Sequence, residues 1–296
     1  MKNKKYKVKN NGKSKLTGLQ KTLIVGAVSL AVGGTVAYHS IPRQDQPIRE
    51  QIINPSFQEA QKNEGLRQRY IEQRTALLSK EFDRTFNTRI IEAVFYDPDY
   101  RQLDEACKVG LEKYQDNPIK ADYFRESLRK NQENRASENK KHLGVTILPT
   151  ANFAEGEPSE IYFSVECFDP KLVASEDEFL SILDHELFHA ACANKGIPIK
   201  HEVALKYGLG LADATQLSRN LSDAIMEVAA YHQQLRLIEE GVRIVRPKFR
   251  QRLVNSYNDF YQPVKLCSDR SDDSFDSRFC TALIESLTYF PGPRKR

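Results

Sequence analysis

Several features are scarce in this chain of 296 residues, and each scarcity excludes a class of protein. Glycine (14 residues) and proline (13 residues) are too few for a fibrous chain, and no segment of about 20–50 residues recurs as in a solenoid. Apolar residues make up 40% and charged residues 28%, which excludes both a disordered chain and one that crosses a membrane many times. The sequence therefore predicts a globular protein with a sizeable core, as one large domain or two small ones.

Acidic residues are absent from residues 1–21, which contain eight lysines. The formal net charge of +4 arises in this segment, because removing those eight from the 44 basic residues leaves 36, against 40 acidic ones. A slightly acidic body has no general surface for phosphate groups, so we do not expect nucleic acid as a partner.

The lysine-rich segment is followed by 17 residues without charge, Thr22–Tyr38, which predict either a transmembrane anchor or a cleaved signal peptide. A basic segment of 21 residues is long for a signal peptide, and Tyr38-His39 is a poor cleavage site, so the anchor is favoured. Because lysines hold their side of a span in the cytoplasm, we expect a cytoplasmic tail at 1–21, a single membrane span at 22–38 and an extracytoplasmic remainder. Signal cleavage would instead give a secreted protein.

The remainder divides into a polar linker at 39–55, a helical region at 56–140 and a mixed domain at 141–296. Apolar residues recur at helical spacing in the second part, and its charges are expected on the solvated faces of three or four helices. The apolar positions are Leu77, Leu78, Phe82, Phe86, Ile90, Ile91 and Val94.

The mixed domain begins with two predicted strands, His142–Leu148 and Glu160–Phe168. A helix is then predicted from the capping box of Ser175 and Glu178 to Gly196, which ends it. Further helices are predicted at about 220–240, 248–261 and 277–289. The expected fold is α+β, mostly helical with a small sheet.

Five cysteines are present, an odd number that cannot all pair. Cys267 and Cys280 close a short acidic loop and are the predicted disulfide, which an extracytoplasmic location would permit. Cys192 is interpreted as a small buried core residue.

The capped helix contains His185-Glu186-Leu187-Phe188-His189, a His-Glu-x-x-His motif. Residues four apart share a helix face, so both imidazoles can bind one cation such as zinc, and Glu186 can take a proton from the water that the metal activates. In a chain of this composition about 0.01 such motifs are expected by chance. The two positions between Glu186 and His189 are uncharged, and so are the flanking residues 182, 183, 190 and 191, as a helix beside a buried metal cleft requires.

Around this motif the sequence resembles the zincin metallopeptidases, over about residues 140–240. In that fold an edge strand before the motif helix binds an extended substrate, and Glu160–Phe168 is the expected counterpart. Lys195 stands where the metzincin class has its third histidine, which excludes that class. The resemblance to the gluzincin class implies Glu227 as the third zinc ligand.

The gluzincin pattern also has an aspartate four residues after the ligand, where this chain has Tyr231. Asp223, one turn earlier on the same helix face, could instead orient a metal ligand from behind. Tyr231 could polarise a substrate carbonyl.

These observations predict a membrane-anchored extracytoplasmic metallopeptidase that uses one zinc ion to hydrolyse peptide bonds in peptides or proteins, most simply as an endopeptidase. The alternative is an anchored helical binding or scaffold protein with an inactive or incidental zincin site. The charged helices of the region 56–140 favour that alternative, because they resemble an interaction surface more than a catalytic one.

Overall fold

Helices and one three-stranded sheet make up the part of the chain that the computed structural model describes, which is residues 54–136, 143–147, 158–209, 217–270 and 272–287. The predicted tail, the apolar segment 22–38 and residues 39–53 of the linker lie outside these ranges. Within them, no helix is both long and apolar enough to cross a membrane. Residues Ile52–Arg296 form one compact unit.

The described helices and strands follow the chain from an amino-terminal helical part, through the sheet, to a carboxy-terminal helical part. The helices are α1 Phe57–Lys62, α2 Arg67–Phe86, α3 Arg101–Lys113, α4 Pro118–Ala136, α5 Glu176–Lys195, α6 His201–Lys206, α7 Arg219–Glu239, α8 Pro247–Ser268 and α9 Phe275–Ser286. The strands are β1 Ile91–Tyr96, β2 Gly144–Ile147 and β3 Ser159–Phe163. The mostly helical α+β class is therefore confirmed.

The strand order is β1-β3-β2, with β1 parallel and β2 antiparallel to the central strand β3. Side chains alternate between the two faces of a strand, and the burial follows this alternation. Ile161 and Phe163 pack toward α2 and α5, whereas Tyr162 packs toward α3 and α4. The sheet is thus sandwiched between two helical layers.

The region predicted as wholly helical contains strand β1, so that prediction is wrong for residues 91–96. Helix α2 ends at Phe86 because Asn87 adopts a left-handed conformation (φ 50°), which few residues other than glycine or asparagine tolerate. The β-branched residues that follow pack better on a sheet than on a helix. Because β1 pairs with β3, residues 56–140 share one sheet with the domain predicted for 141–296.

The strand expected to border the substrate is also reassigned. Glu160–Phe168 was predicted as an edge strand, but β3 ends at Phe163, is paired on both sides, and is followed by a 3₁₀ turn at Val165–Phe168. The edges of the sheet are β1 and β2, and β2 lies within the predicted strand His142–Leu148.

The side chain of Gln68 forms hydrogen bonds with backbone groups on the outer edge of β1. The amide of Gln68 donates to the carbonyl of Val94 (2.8 Å) and accepts from the backbone N–H of Tyr96 (2.6 Å), as a neighbouring strand would. Such capping protects an edge from unwanted pairing. Among the described strands, β2 is the other edge of the sheet.

Helix α5 begins and ends close to the predicted limits. The Ser175 hydroxyl accepts from the Glu178 amide (3.3 Å), and Gly196 follows the last turn with φ 79°. The second half of the capping box is different, because the Glu178 carboxylate accepts from the Ala174 amide (2.7 Å) rather than from Ser175. It also accepts two hydrogen bonds from the Arg246 guanidinium, at 2.7 and 2.8 Å.

The five cysteines are all buried free thiols, so the predicted Cys267–Cys280 disulfide is not formed in this structure. The two thiols nevertheless lie close together where α8 meets α9. Burial raises the pKa of Cys280, so it stays protonated and is a poor partner for thiol–disulfide exchange.

The buried Glu178 predicts an acid-dependent contribution to stability. Burial raises its pKa, but the hydrogen bonds from Arg246 and Ala174 outweigh that effect and leave the pKa below its ordinary value. We expect Glu178→Gln to lower the free energy of unfolding by about 2 kcal/mol at neutral pH, because charge-assisted bonds are lost.

Because the pKa of Glu178 is lower in the folded state, its carboxylate stabilises the fold at pH values above its unfolded-state pKa of about 4.3. This contribution is lost as the pH falls through the folded-state pKa. The difference between wild type and Glu178→Gln in urea unfolding should therefore be full above about pH 5 and shrink in stronger acid. Glu285→Gln is the matched control, since Glu285 pairs with Lys206 at the exposed surface (2.7 Å) and should matter little. A loss that is equal at acid and neutral pH would contradict the prediction.

Candidate metal centre

Helix α5 presents both motif histidines from a largely buried position. The Nε2 atoms of His185 and His189 lie 3.0 Å apart, as expected for imidazoles one turn apart on the same face. The helix is buried on two sides, with Leu183 and Leu187 in the core against the sheet and Phe188 in the core against α7 to α9. These two cores hold the backbone that carries the imidazoles.

Helix α7 places Glu227 in front of the two imidazoles. Its Oε2 lies 3.3 Å from His185 Nε2, and its Oε1 lies 3.5 Å from His189 Nε2. Among the described residues, no lysine or arginine forms an ion pair with this carboxylate. The sequence motif and the proposed third ligand are thus brought together, as the resemblance implied.

The three side chains form the one group among the described residues whose spacing could hold a metal ion. Ligands at 2.0–2.1 Å from a tetrahedral zinc ion lie about 3.3 Å from each other. The donor separations of 3.0, 3.3 and 3.5 Å are close to that value, so these donors fit a cation of this size. A carboxylate and two imidazoles are also the ligand types that zinc prefers.

A buried side-chain bond fixes the register of α7 against α5. The Gln234 amide donates to both the carbonyl and the hydroxyl oxygen of Ser181, each at 2.9 Å. Ser181 lies one turn before His185, and Gln234 lies two turns after Glu227, so the helices run antiparallel. This contact holds the carboxylate level with the imidazoles.

Glu227 and His189 influence each other's protonation. Burial raises the pKa of Glu227, but the two imidazoles outweigh it and hold the pKa well below its usual range. Burial lowers the pKa of His189, but the charges of Glu227, Glu186 and Asp223 outweigh it and the pKa is raised. In this arrangement positive charge is favoured between the carboxylate and the imidazoles.

Glu186 is buried on the side of α5 that faces the sheet edge. Its carboxylate Oε2 accepts from the Thr146 hydroxyl at 2.7 Å, and its backbone carbonyl lies 3.1 Å from the same hydroxyl. Thr146 belongs to β2, so the edge strand and the motif helix meet at this carboxylate. Glu186 is also near enough to His189 to affect its pKa.

Asp223 does not contact either imidazole. Its side chain is 55% exposed and pairs with Lys130 of α4 at 3.3 Å, so it does not orient a metal ligand in this structure. Among the described residues, His185 Nδ1 is buried without a hydrogen-bond partner. The predicted supporting role of Asp223 is therefore not seen.

Tyr231 lies against the site with its ring rather than its hydroxyl. The ring centroid is 4.4 Å from that of His185, and the other side stacks on Phe260 of α8 at 6.0 Å. Its hydroxyl is hydrogen-bonded to Ser256, and the suggested role in polarising a carbonyl stays a prediction. Cys192 is fully buried in the core and is not part of the donor group, as interpreted.

Three residues around the site were not identified from the sequence: Thr146, Gly144 and Gln234. Gly144 and Thr146 occupy alternate positions of the predicted strand His142–Leu148, so they share one face of it. The neighbouring sequence does not show that this face meets the motif helix. Gln234 could have been noticed as an amide within an apolar helix face, which needs a partner when buried.

Comparisons with protein-family models, with curated proteins and with solved structures gave no match for this chain. Its function therefore has to be inferred from the residues of the site. The sequence motif and the geometry of the three donors are the two observations available for that inference.

Proposed function

We propose that this chain is a membrane-anchored, extracytoplasmic zinc metallopeptidase of the gluzincin-like type. The observation that carries the proposal is the position of Glu227, whose two carboxylate oxygens face the Nε2 atoms of His185 and His189. A helix carrying His-Glu-x-x-His supplies two ligands, and catalytic zinc sites usually have three protein ligands and one open position. Glu227 supplies the missing one from a separate helix.

The proposed zinc ligands are His185 and His189 through Nε2, and Glu227 through its carboxylate. A zinc ion held there would supply Lewis acidity, polarising a peptide carbonyl and lowering the pKa of water. The partial burial of the Glu227 side chain, which is 29% exposed, supports this assignment, because a carboxylate removed from water is costly unless it meets a positive charge. Three protein ligands would leave one position on such an ion for water or substrate.

Glu186 is the proposed general base. Glu186 directly follows His185 but lies about 100° further round the helix, so its carboxylate would flank a bound ion rather than bind it. It would accept a proton from the attacking water and deliver that proton to the amine that leaves when the peptide bond breaks. Water is thereby divided between the new carboxyl and amino ends.

Strand β2 is the proposed platform for substrate. It is an edge strand of the sheet, and it contacts Glu186 through Thr146. An extended peptide can add to such an edge by backbone hydrogen bonds, which accept many side-chain sequences. A peptide bound there would run past the general base.

Zinc content and hydrolysis test the proposal together. The purified protein should contain about one zinc ion per chain and should cleave an unfolded protein. Glu186→Gln should keep the zinc but lose hydrolysis by at least about 100-fold, because the amide cannot take a proton. Absence of bound metal would refute the proposal, and retention of the biological function in this variant would favour the alternative, an anchored scaffold protein.

The ligand assignment predicts that two acidic residues of α7, Glu227 and Asp223, differ in their effect on zinc affinity. Glu227→Ala should lower zinc affinity by at least about 10-fold while leaving the protein folded. Asp223→Ala is the matched control, since Asp223 is exposed and pairs with Lys130, and it should change affinity much less. Competition with a chromogenic chelator measures both. Undiminished zinc affinity in Glu227→Ala would refute the assignment.

The membrane location rests on the lysine block and on the apolar segment 22–38. We expect the full protein to sediment with membranes and to resist carbonate extraction, because an uncleaved span holds it in the bilayer. A chain that begins at residue 41 should be soluble and is the control. Recovery of a mature N-terminus near residues 38–40 from the soluble extracytoplasmic fraction would replace the anchor with a signal peptide.

A further inference from the structure

Two residues of edge strand β2 contact the proposed general base without being metal ligands. Side chains of a strand alternate between its faces, so Gly144 and Thr146 face one way and Val145 the other. Val145 packs toward the α3 and α4 layer, and the other two therefore face helix α5. Antiparallel pairing of Gly144 with Phe163 and of Thr146 with Ile161 fixes their positions.

The Thr146 hydroxyl carries one proton and lies near two acceptor oxygens of Glu186. The carboxylate Oε2 is nearer (2.7 Å) than the backbone carbonyl (3.1 Å). A hydrogen bond from a hydroxyl to a carboxylate is short, and it is about twice as strong as a hydrogen bond between neutral groups. The Thr146 hydroxyl therefore donates its hydrogen bond mainly to Oε2 of the carboxylate. Oε1 does not receive this hydrogen bond.

Gly144 leaves the space in which the carboxylate lies. A Cβ at this position would be 3.0 Å from both Cγ and Oε1 of Glu186, and 3.2 Å from its Cδ. These separations are shorter than ordinary van der Waals contact, so any other residue would press on the carboxylate. The missing side chain and the Thr146 hydroxyl thus act on the same group from neighbouring strand positions.

We propose that Thr146 is a positioning residue for Glu186: its hydroxyl holds Oε2, Gly144 leaves room for the carboxylate, and Oε1 remains to accept the transferred proton. The assignment rests on the proposed peptidase function. It implies that the strand offered to substrate also sets the orientation of the base, because Thr146 belongs to both.

The test compares four variants of the zinc-loaded full-length protein on a dye-labelled unfolded protein as substrate. Thr146→Val keeps the shape but removes the hydroxyl, and it should lower kcat at least about 10-fold with KM within about 2-fold. Thr146→Ser keeps the hydroxyl and should retain kcat within about 3-fold. Gly144→Ala keeps the hydroxyl but crowds the carboxylate and should also lower kcat. Thr85→Val, which removes an exposed hydroxyl bonded to a helix carbonyl, is the matched control and should leave kcat unchanged.

Two measurements do not depend on turnover. Zinc affinity, from chelator competition, should be within about 2-fold of wild type in all four variants, since no ligand is changed. Crystal structures of the zinc-loaded Thr146→Val and Gly144→Ala proteins should show a displaced Glu186 carboxylate. Wild-type kcat in Thr146→Val, or a carboxylate that has not moved in it, would overturn the assignment.

The failure of this inference can be distinguished from failure of the proposed function. If the wild-type protein binds no zinc, or if its hydrolysis does not depend on Glu186, the peptidase proposal fails, and the positioning role fails with it. If wild-type hydrolysis depends on Glu186 but Thr146→Val is fully active, the positioning role alone is wrong.

Discussion

A carboxylate held in a largely buried position against two imidazoles is the interaction on which the arrangement of the site depends. Moving Glu227 out of water is unfavourable unless positive charge or strong hydrogen bonds replace its hydration. The imidazoles of His185 and His189 do so here, and a divalent ion between the three groups would do so more strongly. Helices α5 and α7 must therefore keep a fixed register, which the buried Gln234–Ser181 contact supplies.

The sequence predicted the local half of this site and the structure supplied the non-local half. His-Glu-x-x-His could be recognised because residues four apart on a helix necessarily share a face. The limits of α5 could be predicted as well, since Ser175 and Gly196 act on the chain next to them. Glu227 required a family resemblance, because nothing in its immediate neighbours shows which helix it will face.

The errors came from segments whose structure is decided by distant contacts. Residues 91–96 have apolar spacing that suits a helix, yet they form β1 because β3 and the Gln68 side chain satisfy their backbone groups. The central place of β3 could not be foreseen for the same reason, since strand order is set by long-range pairing. Asp223 shows the limit of helix periodicity: it has the spacing of Glu227, but Lys130 of another helix pairs with it.

Helix α5 joins two supports that act on different residues of one motif. On one side α7 brings the carboxylate of Glu227 to the imidazoles, and on the other side β2 holds the carboxylate of Glu186. Helix α5 is packed between two hydrophobic cores, so it cannot shift toward α7 without losing its contacts with β2, or the reverse. The two carboxylates, for which we propose the tasks of binding a cation and accepting a proton, are thereby kept apart by the rigidity of a single buried helix.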